Sequence, residues 1–322
     1  MRTLVWLCAV MLLTTTLQAA IRHSNKGAAE VQNDKSITVA IIDTGVDIKH
    51  RDLRDVIWHN PGELGLDPQG RDKSKNGFDD DGNGYIDDVH GWNFAGQNNI
   101  VMDSYGHGTH VAGIVKHEFQ RLFYKKERGA ARTLKLMVLN YYNSDASDKV
   151  NLNNTARAIE YATAMGADII NYSGGGSQPN RLEHQAIEKA AQKGVLFIAA
   201  AGNNKSNTDR HRFYPAGYEL NNIISVAATD RDGLLQDFSN YGAQSTDLAA
   251  PGAEINSTLP NNKYGLMSGT SQATAHITGV AAALLAEKPM ASAAQMLARL
   301  IDISDYSSSL EGKTRFPLAL LK

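Results

Sequence analysis

Short apolar runs alternate with helical patterns along most of the chain. Five runs are rich in β-branched residues, which is typical of strands that are covered on both faces. They lie at residues 36–42, 134–139, 167–172, 195–201 and 223–228. Segments between them carry apolar residues at spacings of three and four, which predicts helices at 110–123, 151–165 and 180–193. Gly166 and Gly194 follow two of these helices, where a C-terminal cap favours positive φ.

This order of elements predicts the fold class. Strand, helix and strand in series indicate an α/β fold of three layers, with a mostly parallel sheet and helices on both faces. No internal repeat or low-complexity linker interrupts the pattern, so we expect one domain over residues 36–322. In such sheets, functional sites form at the carboxyl ends of the strands.

The first twenty residues depart from this pattern. They begin with a charge at Arg2, continue with an apolar run over 4–13 and end on small residues at Ala19 and Ala20. This is the arrangement of a secretory signal peptide over residues 1–20. We therefore expect a secreted or periplasmic protein that does not stay at the membrane after the signal is removed. An uncleaved membrane anchor is the alternative.

Composition adds three constraints. The 322 residues are 42% hydrophobic and 20% charged, enough for a large core, and the formal net charge is −2. That charge gives no electrostatic case for binding nucleic acid. The only cysteine, Cys8, lies in the apolar run, so the mature chain would form no disulfides. We expect a monomer and no organic cofactor.

Two polar residues follow predicted strands. Asp43 comes directly after the first strand, and Asn203 comes soon after the run 195–201. A buried aspartate is costly unless a partner donates hydrogen bonds to it. His107, between two glycines at the start of a helix, can donate Nδ1 to Asp43 and accept a proton at Nε2. Ser271, at another helix start, would supply that proton.

Three sequence blocks resemble the signature blocks of the subtilisin-like serine proteases. They are DTG at 43–45, GHGTHVAG at 106–113 and GTSQATAHITG at 269–279. The resemblance extends over residues 36–322, with smaller blocks such as AAGN at 200–203. It implies a subtilisin-like fold and an endopeptidase that acts through an acyl-enzyme, with Asp43, His107 and Ser271 as catalytic triad. It also implies that Asn203 donates to the oxyanion.

The chain departs from the family pattern next to the nucleophile. Gln272 stands where methionine is commonest, and Ala275 stands where proline is usual. Both positions affect the geometry of the helix and the lining of the pocket without touching the proton path. The reaction itself is therefore not put in doubt.

The resemblance also implies a substrate site for proteins or peptides. An extended peptide would add as a strand beside residues 172–176 and bind through backbone hydrogen bonds. The walls of the specificity pocket would be Ser173, Gly174, Gly175, Ala200, Ala201 and Gly202. Phe213 would lie at the pocket floor and shorten it, favouring small or medium apolar side chains before the cleaved bond. In the alternative, its ring turns away into the core.

The segment 76–88, NGFDDDGNGYIDD, predicts a structural calcium site. Oxygen ligands at alternate positions around a glycine turn suit a hard cation. The expected ligands are Asp79, Asp81, Asn83, the Tyr85 carbonyl and Asp87. His90 stands where an EF-hand loop has glutamate, so Asp88 or a distant residue would have to close the shell. A solvated acidic turn is the alternative; similar insertions in some subtilisin relatives look like calcium loops.

Other interpretations of these motifs have less support in the sequence. DTG also begins the catalytic loop of aspartic proteases, but that chemistry needs a second aspartate block, and the chain has none. A zinc pair of His107 and His110 lacks a third ligand. We interpret His276 as a packed structural histidine. The rival function is a catalytically silent secreted binding protein that kept the fold.

The length before Asp43 bears on maturation. Only 42 residues precede Asp43, and the signal takes about half of them. Residues 21–35 would form a short N-terminal extension. We therefore expect a mature start between Ala19 and Lys35 and folding without a covalent pro-domain.

Overall fold

The computed structural model describes residues 36–124, 133–288 and 292–320. These belong to one compact unit, Ser36–Lys322. The predicted signal peptide and the extension over 21–35 lie outside the described residues. Within them, no helix is both long and apolar enough to cross a membrane.

The described strands form one large sheet and one hairpin. In chain order they are β1 (Ile37–Asp43), β2 (Gly91–Asn93), β3 (Leu134–Asn140), β4 (Ile169–Tyr172), β5 (Leu196–Ala200), β6 (Ile223–Thr229), β7 (Leu248–Pro251), β8 (Ile255–Leu259), β9 (Lys263–Met267), β10 (Asp305–Tyr306) and β11 (Leu318–Ala319). The sheet order is β10-β11-β7-β6-β5-β4-β1-β3-β2, and β8 pairs with β9. All neighbours in the sheet are parallel except β10 and β11.

Helices cover both faces of the sheet. They are α1 (His107–Tyr124), α2 (Asp148–Ala164), α3 (Arg181–Gln192), α4 (Thr270–Glu287) and α5 (Ala293–Asp302), with short 3₁₀ turns at Pro61–Glu63, Lys73–Lys75 and Ser308–Leu310. The predicted parallel α/β fold with helices on both faces is therefore confirmed.

The alternating direction of the side chains along β1 explains why each face of the sheet has its own hydrophobic core. Val39 and Ile41 pack into one cluster with residues of α1 and α4. Ala40 and Ile42 point to the other face and pack with residues of α2 and α3. Successive side chains of a strand point to opposite faces, so a strand buried on both sides is apolar throughout. This is why the sequence of β1 shows a continuous run.

The parallel register brings several strand ends together. Ile42 lies opposite Tyr172 of β4, and Tyr172 lies opposite Ala199 of β5. The residues that follow these strands therefore meet at one edge of the sheet. Gly166 and Gly194, at φ +77° and +76°, end the preceding helices as the sequence predicts.

Candidate active site

Asp43 and His107 meet at this edge of the sheet. Asp43 is the last residue of β1 and is only 3% exposed. Its Oδ1 accepts hydrogen bonds from the Thr44 N–H at 2.8 Å and from His107 Nδ1 at 2.7 Å. The second bond places the Nδ1 proton on His107 towards Asp43 and leaves Nε2 as the acceptor nitrogen.

The charge of Asp43 changes the basicity of His107. It raises the pKa of the His107 imidazole above its usual value, while burial opposes the rise. The hydrogen bond from Nδ1 and the charge of Asp103 add to the increase. The His107 side chain is 33% exposed, so it keeps access to a bound substrate. A charged imidazole is thus stabilised without being cut off from solvent.

Asp103 is a buried residue that the sequence analysis missed. One of its oxygens accepts from the Thr44 hydroxyl and from the N–H groups of Tyr105 and Gly106, at 2.8–3.0 Å. The other accepts from the Thr109 N–H and hydroxyl. These bonds satisfy donors at the start of α1, where N–H groups lack helical acceptors. Asp103 therefore fixes the turn that presents His107.

Ser271 lies in the first turn of α4 and is 6% exposed. Its hydroxyl donates to the Ser173 carbonyl oxygen at 3.0 Å. Among the described residues, no hydrogen bond joins Ser271 to His107. The structure thus brings Asp43 and His107 into contact, whereas the serine hydroxyl takes a backbone acceptor. Hydrogen bonds between catalytic groups often tighten only when substrate binds.

Asn203 is oriented by the residue before Ser271. Its Oδ1 accepts from the Thr270 N–H at 2.9 Å and from the Thr270 hydroxyl at 3.0 Å. An obligate N–H donor on one side settles which end of the amide is oxygen. Asn203 Nδ2 is therefore turned away, with no partner among the described residues. Thr270 was also missed by the sequence analysis.

Two nitrogen donors lie near Gly269. A Cβ placed on Gly269 would lie 3.0 Å from Gln272 Oε1, 3.4 Å from Asn203 Nδ2 and 3.7 Å from the Ser271 nitrogen. The Ser271 N–H lies in the first helical turn, where such groups have no intrahelical acceptor. A pair of N–H donors such as Asn203 Nδ2 and the Ser271 N–H suits an oxygen that gains negative charge.

Two residues of the predicted pocket walls, Gly175 and Gly202, lie against the Phe213 ring. Ser173, Gly174 and Gly175 follow β4, and Ala200, Ala201 and Gly202 end and follow β5. A Cβ on Gly175 would overlap the ring, and one on Gly202 would lie 3.0 Å from two of its carbons. The half-buried ring therefore occupies the space between the two segments. It does not turn away from them into the core.

Backbone N–H groups donate to two of the predicted calcium ligands, Asp79 and Asp87. The Asp79 carboxylate accepts N–H groups of Gly82, Asn83 and Gly84, and the Asp87 carboxylate accepts that of Gly77. Tight glycine turns present these N–H groups, and the carboxylates cap them.

The other predicted ligands have different roles in the loop. Asn83 Oδ1 accepts the Tyr85 N–H, and the Tyr85 ring packs against Trp92 and Tyr161. Asp81 alone of the predicted set joins other carboxylates, those of Glu63 and Asp88. Glu63 was not considered from the sequence, because it lies far from the loop in the chain.

Two further histidines have structural contacts. His110 Nε2 lies 3.0 Å and 3.1 Å from the carbonyl oxygens of Ile255 and Gly265. If Nε2 donates to these carbonyls, the lone pair of His110 is on Nδ1. The group of three acidic residues that could hold a metal ion in the described part of the chain includes neither His107 nor His110. His276 lies in α4 with its Nδ1 3.5 Å from Glu118.

Comparison with known proteins agrees with the fold and shows the family. The subtilase family profile matches residues 34–314. Subtilisin DY of Bacillus licheniformis is 31% identical over 278 residues, which are 86% of each chain. The thermophilic serine proteinase of Bacillus sp. (strain AK1) is 35% identical over 249 residues. That alignment covers 77% of this chain and 52% of the relative, so it spans about half of the relative's length.

A solved structure shares the architecture. The crystal structure of a cold adapted subtilisin-like serine proteinase superimposes with a TM-score of 0.64 at 24% identity, covering 89% of each chain. The chain therefore belongs to the subtilase family, whose named relatives define it as a subtilisin-like serine endopeptidase by class.

Proposed function

We propose that this chain hydrolyses peptide bonds through an acyl-enzyme on Ser271. The observation that carries the proposal is the 2.7 Å contact between Asp43 Oδ1 and His107 Nδ1. It holds the imidazole with Nε2 free to take a proton and favours the charged form that results. Protein or peptide substrates follow from the family.

The proton path has two halves. When substrate binds, the Ser271 hydroxyl turns from the Ser173 carbonyl to His107 Nε2 and gives up its proton as its oxygen attacks the peptide carbonyl. His107 then delivers that proton to the leaving amine, and the acyl group stays on Ser271. Water attacks the acyl-enzyme by the same route. The carboxylic acid product leaves, and His107 is neutral again.

The oxyanion would form beside Gly269. Asn203 Nδ2 and the Ser271 N–H, which both lie near Gly269, would be its donors. Thr270 fixes the amide of Asn203 before substrate arrives, so no reorganisation is needed as charge develops.

Substrate selection would depend on the space beside Phe213. The ring lies against Gly175 and Gly202, so a pocket between residues 173–175 and 200–202 would be shallow. Small or medium apolar side chains before the cleaved bond fit such a pocket better than long or aromatic ones. Backbone pairing beside residues 172–176 would supply most of the remaining binding energy.

We also propose that the enzyme is secreted or periplasmic and acts as a monomer. The support for export is the charged, apolar and small-residue pattern of residues 1–20. N-terminal sequencing of the protein recovered outside the cell tests this. A start within 1–18 would contradict removal of the signal.

Covalent labelling tests the catalytic proposal. A fluorophosphonate should modify the unmutated chain, and peptide mapping should find the adduct on Ser271. The Ser271→Ala variant is the matched control and should not react. A catalytically silent binding protein would leave the unmutated chain unlabelled, and this result would overturn the proposal.

A further inference from the structure

Three carboxylates from two separate segments meet below the loop 76–88. Glu63 ends a 3₁₀ turn, and Asp81 and Asp88 lie in the loop. One ligand oxygen from each lies within 4.8 Å of the others. Glu63 and Asp88 are both 0% exposed. Burial raises the pKa of Glu63 to about 7 and also raises that of Asp88.

The negative charge of this cluster is not compensated by the described residues. No described lysine or arginine forms an ion pair with Glu63, Asp81 or Asp88. The neighbours that do donate are neutral: Asn60 and Asn83 each bridge Asp81 and Asp88 through one amide nitrogen. Buried charges of one sign are costly unless a cation accompanies them.

The orphaned oxygen is on Glu63. Its Oε1 accepts the Asp80 N–H at 2.9 Å, whereas Oε2 is fully buried and has no hydrogen-bond partner. Buried carboxylate oxygens are nearly always satisfied, so this one requires a ligand. It belongs to the carboxylate that reaches the two aspartates from the other segment.

Each carboxylate keeps room for a further bond. A carboxylate has about four acceptor sites. Asp81 accepts three hydrogen bonds, from Asn60 and twice from Asn83. Asp88 also accepts three, from Asn60, Asn83 and the Tyr161 hydroxyl. A cation can therefore bind without displacing any of the bonds that orient the cluster.

Size and chemistry favour calcium. Hard oxygen donors select Ca²⁺, Mg²⁺ or Mn²⁺ over softer metals. Two ligands of one Ca²⁺ lie at most about 5 Å apart, twice the metal–oxygen distance, whereas those of Mg²⁺ lie at most about 4 Å apart. The carboxylates meet the calcium limit as they stand. Calcium also accepts the irregular geometry that two independent segments produce.

We propose that Glu63, Asp81 and Asp88 bind a Ca²⁺ ion that joins the turn 61–63 to the loop 76–88. This ligand set differs from the alternate-position set of an EF-hand loop, since Asp79 and Asp87 cap backbone N–H groups instead. The Tyr161 hydroxyl on Asp88 ties the site to α2. The ion thus stabilises the chain between Asp43 and His107 without entering the catalytic chemistry.

Thermal unfolding of the Ser271→Ala protein, which cannot digest itself, tests the site. Excess Ca²⁺ should raise the midpoint above that in chelator, by about 5 °C at a hundredfold excess over the dissociation constant. Mg²⁺ should raise it less. Glu63→Gln should lose the Ca²⁺ shift, and in chelator it should unfold no earlier than its parent, because a neutral amide replaces an uncompensated charge.

Asp87→Asn is the matched control, because it removes a carboxylate of the same loop and asparagine tolerates its positive φ of +52°. It should keep the full Ca²⁺ shift. The proposal is overturned if Glu63→Gln keeps the shift while Asp87→Asn loses it. An absent shift, or an equal one with Mg²⁺, also overturns it.

A binding measurement covers the case in which Glu63→Gln does not fold. Tb³⁺ bound beside Tyr161 should give tyrosine-sensitised luminescence in the Ser271→Ala protein, and Ca²⁺ should displace it. No displaceable emission would contradict the site.

Discussion

Two of the histidine–carboxylate pairs among the described residues behave in opposite ways. His107 Nδ1 lies 2.7 Å from Asp43, and the carboxylate raises the pKa of the imidazole. His276 Nδ1 lies 3.5 Å from Glu118, yet burial lowers the pKa of His276 to about 4. The same two kinds of residue thus favour a charged imidazole in one region and a neutral one in the other.

Competition for the carboxylate explains part of the difference. Glu118 Oε2 accepts a hydrogen bond from Arg121 Nε at 2.7 Å and lies 2.7 Å from Arg121 Nη2, so the negative charge of Glu118 is already paired with the positive charge of Arg121. In the described structure, no arginine or lysine forms an ion pair with Asp43. The negative charge of Asp43 therefore acts on His107 without a competing cation. The charges of Arg121 and His117 further disfavour a proton on His276.

The different solvent exposure of the two histidines explains the rest of the difference. His107 is one-third exposed at the start of α1, whereas His276 lies within α4 with 12% of its side chain exposed. His276 Nε2 is buried and has no hydrogen-bond partner among the described residues. A base must be able to gain a proton and reach a substrate, and only His107 satisfies both conditions. A histidine in a signature block is therefore not catalytic by that fact alone.

The largest expected effect is on catalytic turnover, and it distinguishes His107 from His276. His107→Ala should lower turnover of a peptide substrate by about 10⁶, the magnitude established for the corresponding unit in subtilisin, because Ser271 loses its base. Adding Ser271→Ala should cause little further loss. His276→Gln should change turnover less than tenfold. Steady-state kinetics on the folded variants checks this, and equal losses at the two positions would break the comparison.

Asn203→Ala should have the next largest effect. Removing one oxyanion donor costs about 10² to 10³ in kcat, a figure taken from subtilisin. KM should change little, because the donor serves charge that develops only after binding. Thr270→Val should produce a smaller loss in the same direction, since it frees one of the two bonds that orient the amide. A loss confined to KM would argue against the oxyanion role.

The two histidines should give opposite contributions to stability against pH. The folded pKa of His276 is about 4 and the unfolded value about 6.5, so the unfolded chain binds the extra proton between them. Stability should therefore fall as pH drops from about 6.5 to 4. The raised folded pKa of His107 gives a contribution present below about 6.5 and lost as pH rises through the folded value.

Unfolding midpoints in the Ser271→Ala background measure these contributions. His276→Gln should flatten the acid side of the profile relative to its parent, and His107→Gln should change only the neutral side. If His276→Gln does not change the fall of the midpoint at acid pH, the imidazole of His276 has an ordinary pKa in the folded protein, which would contradict this prediction.

The smallest expected effect concerns specificity. Phe213→Gly should open the space between Gly175 and Gly202 and shift the preferred residue before the cleaved bond towards larger apolar side chains. The change in relative kcat/KM should be about 10- to 100-fold, the usual worth of a few methylenes in an apolar pocket. Peptide-library profiling measures it. An unchanged preference would show that the ring does not limit the pocket.

The sequence predicted the central sheet because its strands are long and apolar. β1, β3, β4, β5 and β6 lie at the predicted positions. The pattern did not reveal β10 and β11, which have two residues each, or the exposed hairpin of β8 and β9. These strands are set by pairing with neighbours that are distant in the chain, and periodicity carries no such information.

In the candidate site, too, the sequence did not reveal contacts between residues that are distant in the chain. Strand ends and glycine-flanked helix starts located Asp43, His107 and Ser271. Asp103 and Glu63 act through contacts that only the folded chain creates, so no local spacing marks them. The alternate oxygens of the loop 76–88 match an EF-hand pattern, but the spacing does not predict that glycine N–H groups donate to two of these carboxylates.

The central claim is that Asp43 makes His107 the base for Ser271. The most direct test is the rate of fluorophosphonate modification of Ser271 against pH, in the unmutated chain and in Asp43→Asn. In the unmutated chain, the rate of modification should rise with pH, and the midpoint of this rise should lie above about 6.5, the ordinary pKa of histidine. Asp43→Asn should react about 10⁴ times more slowly, with its midpoint at lower pH. Equal rates and equal midpoints in the two proteins would contradict the account.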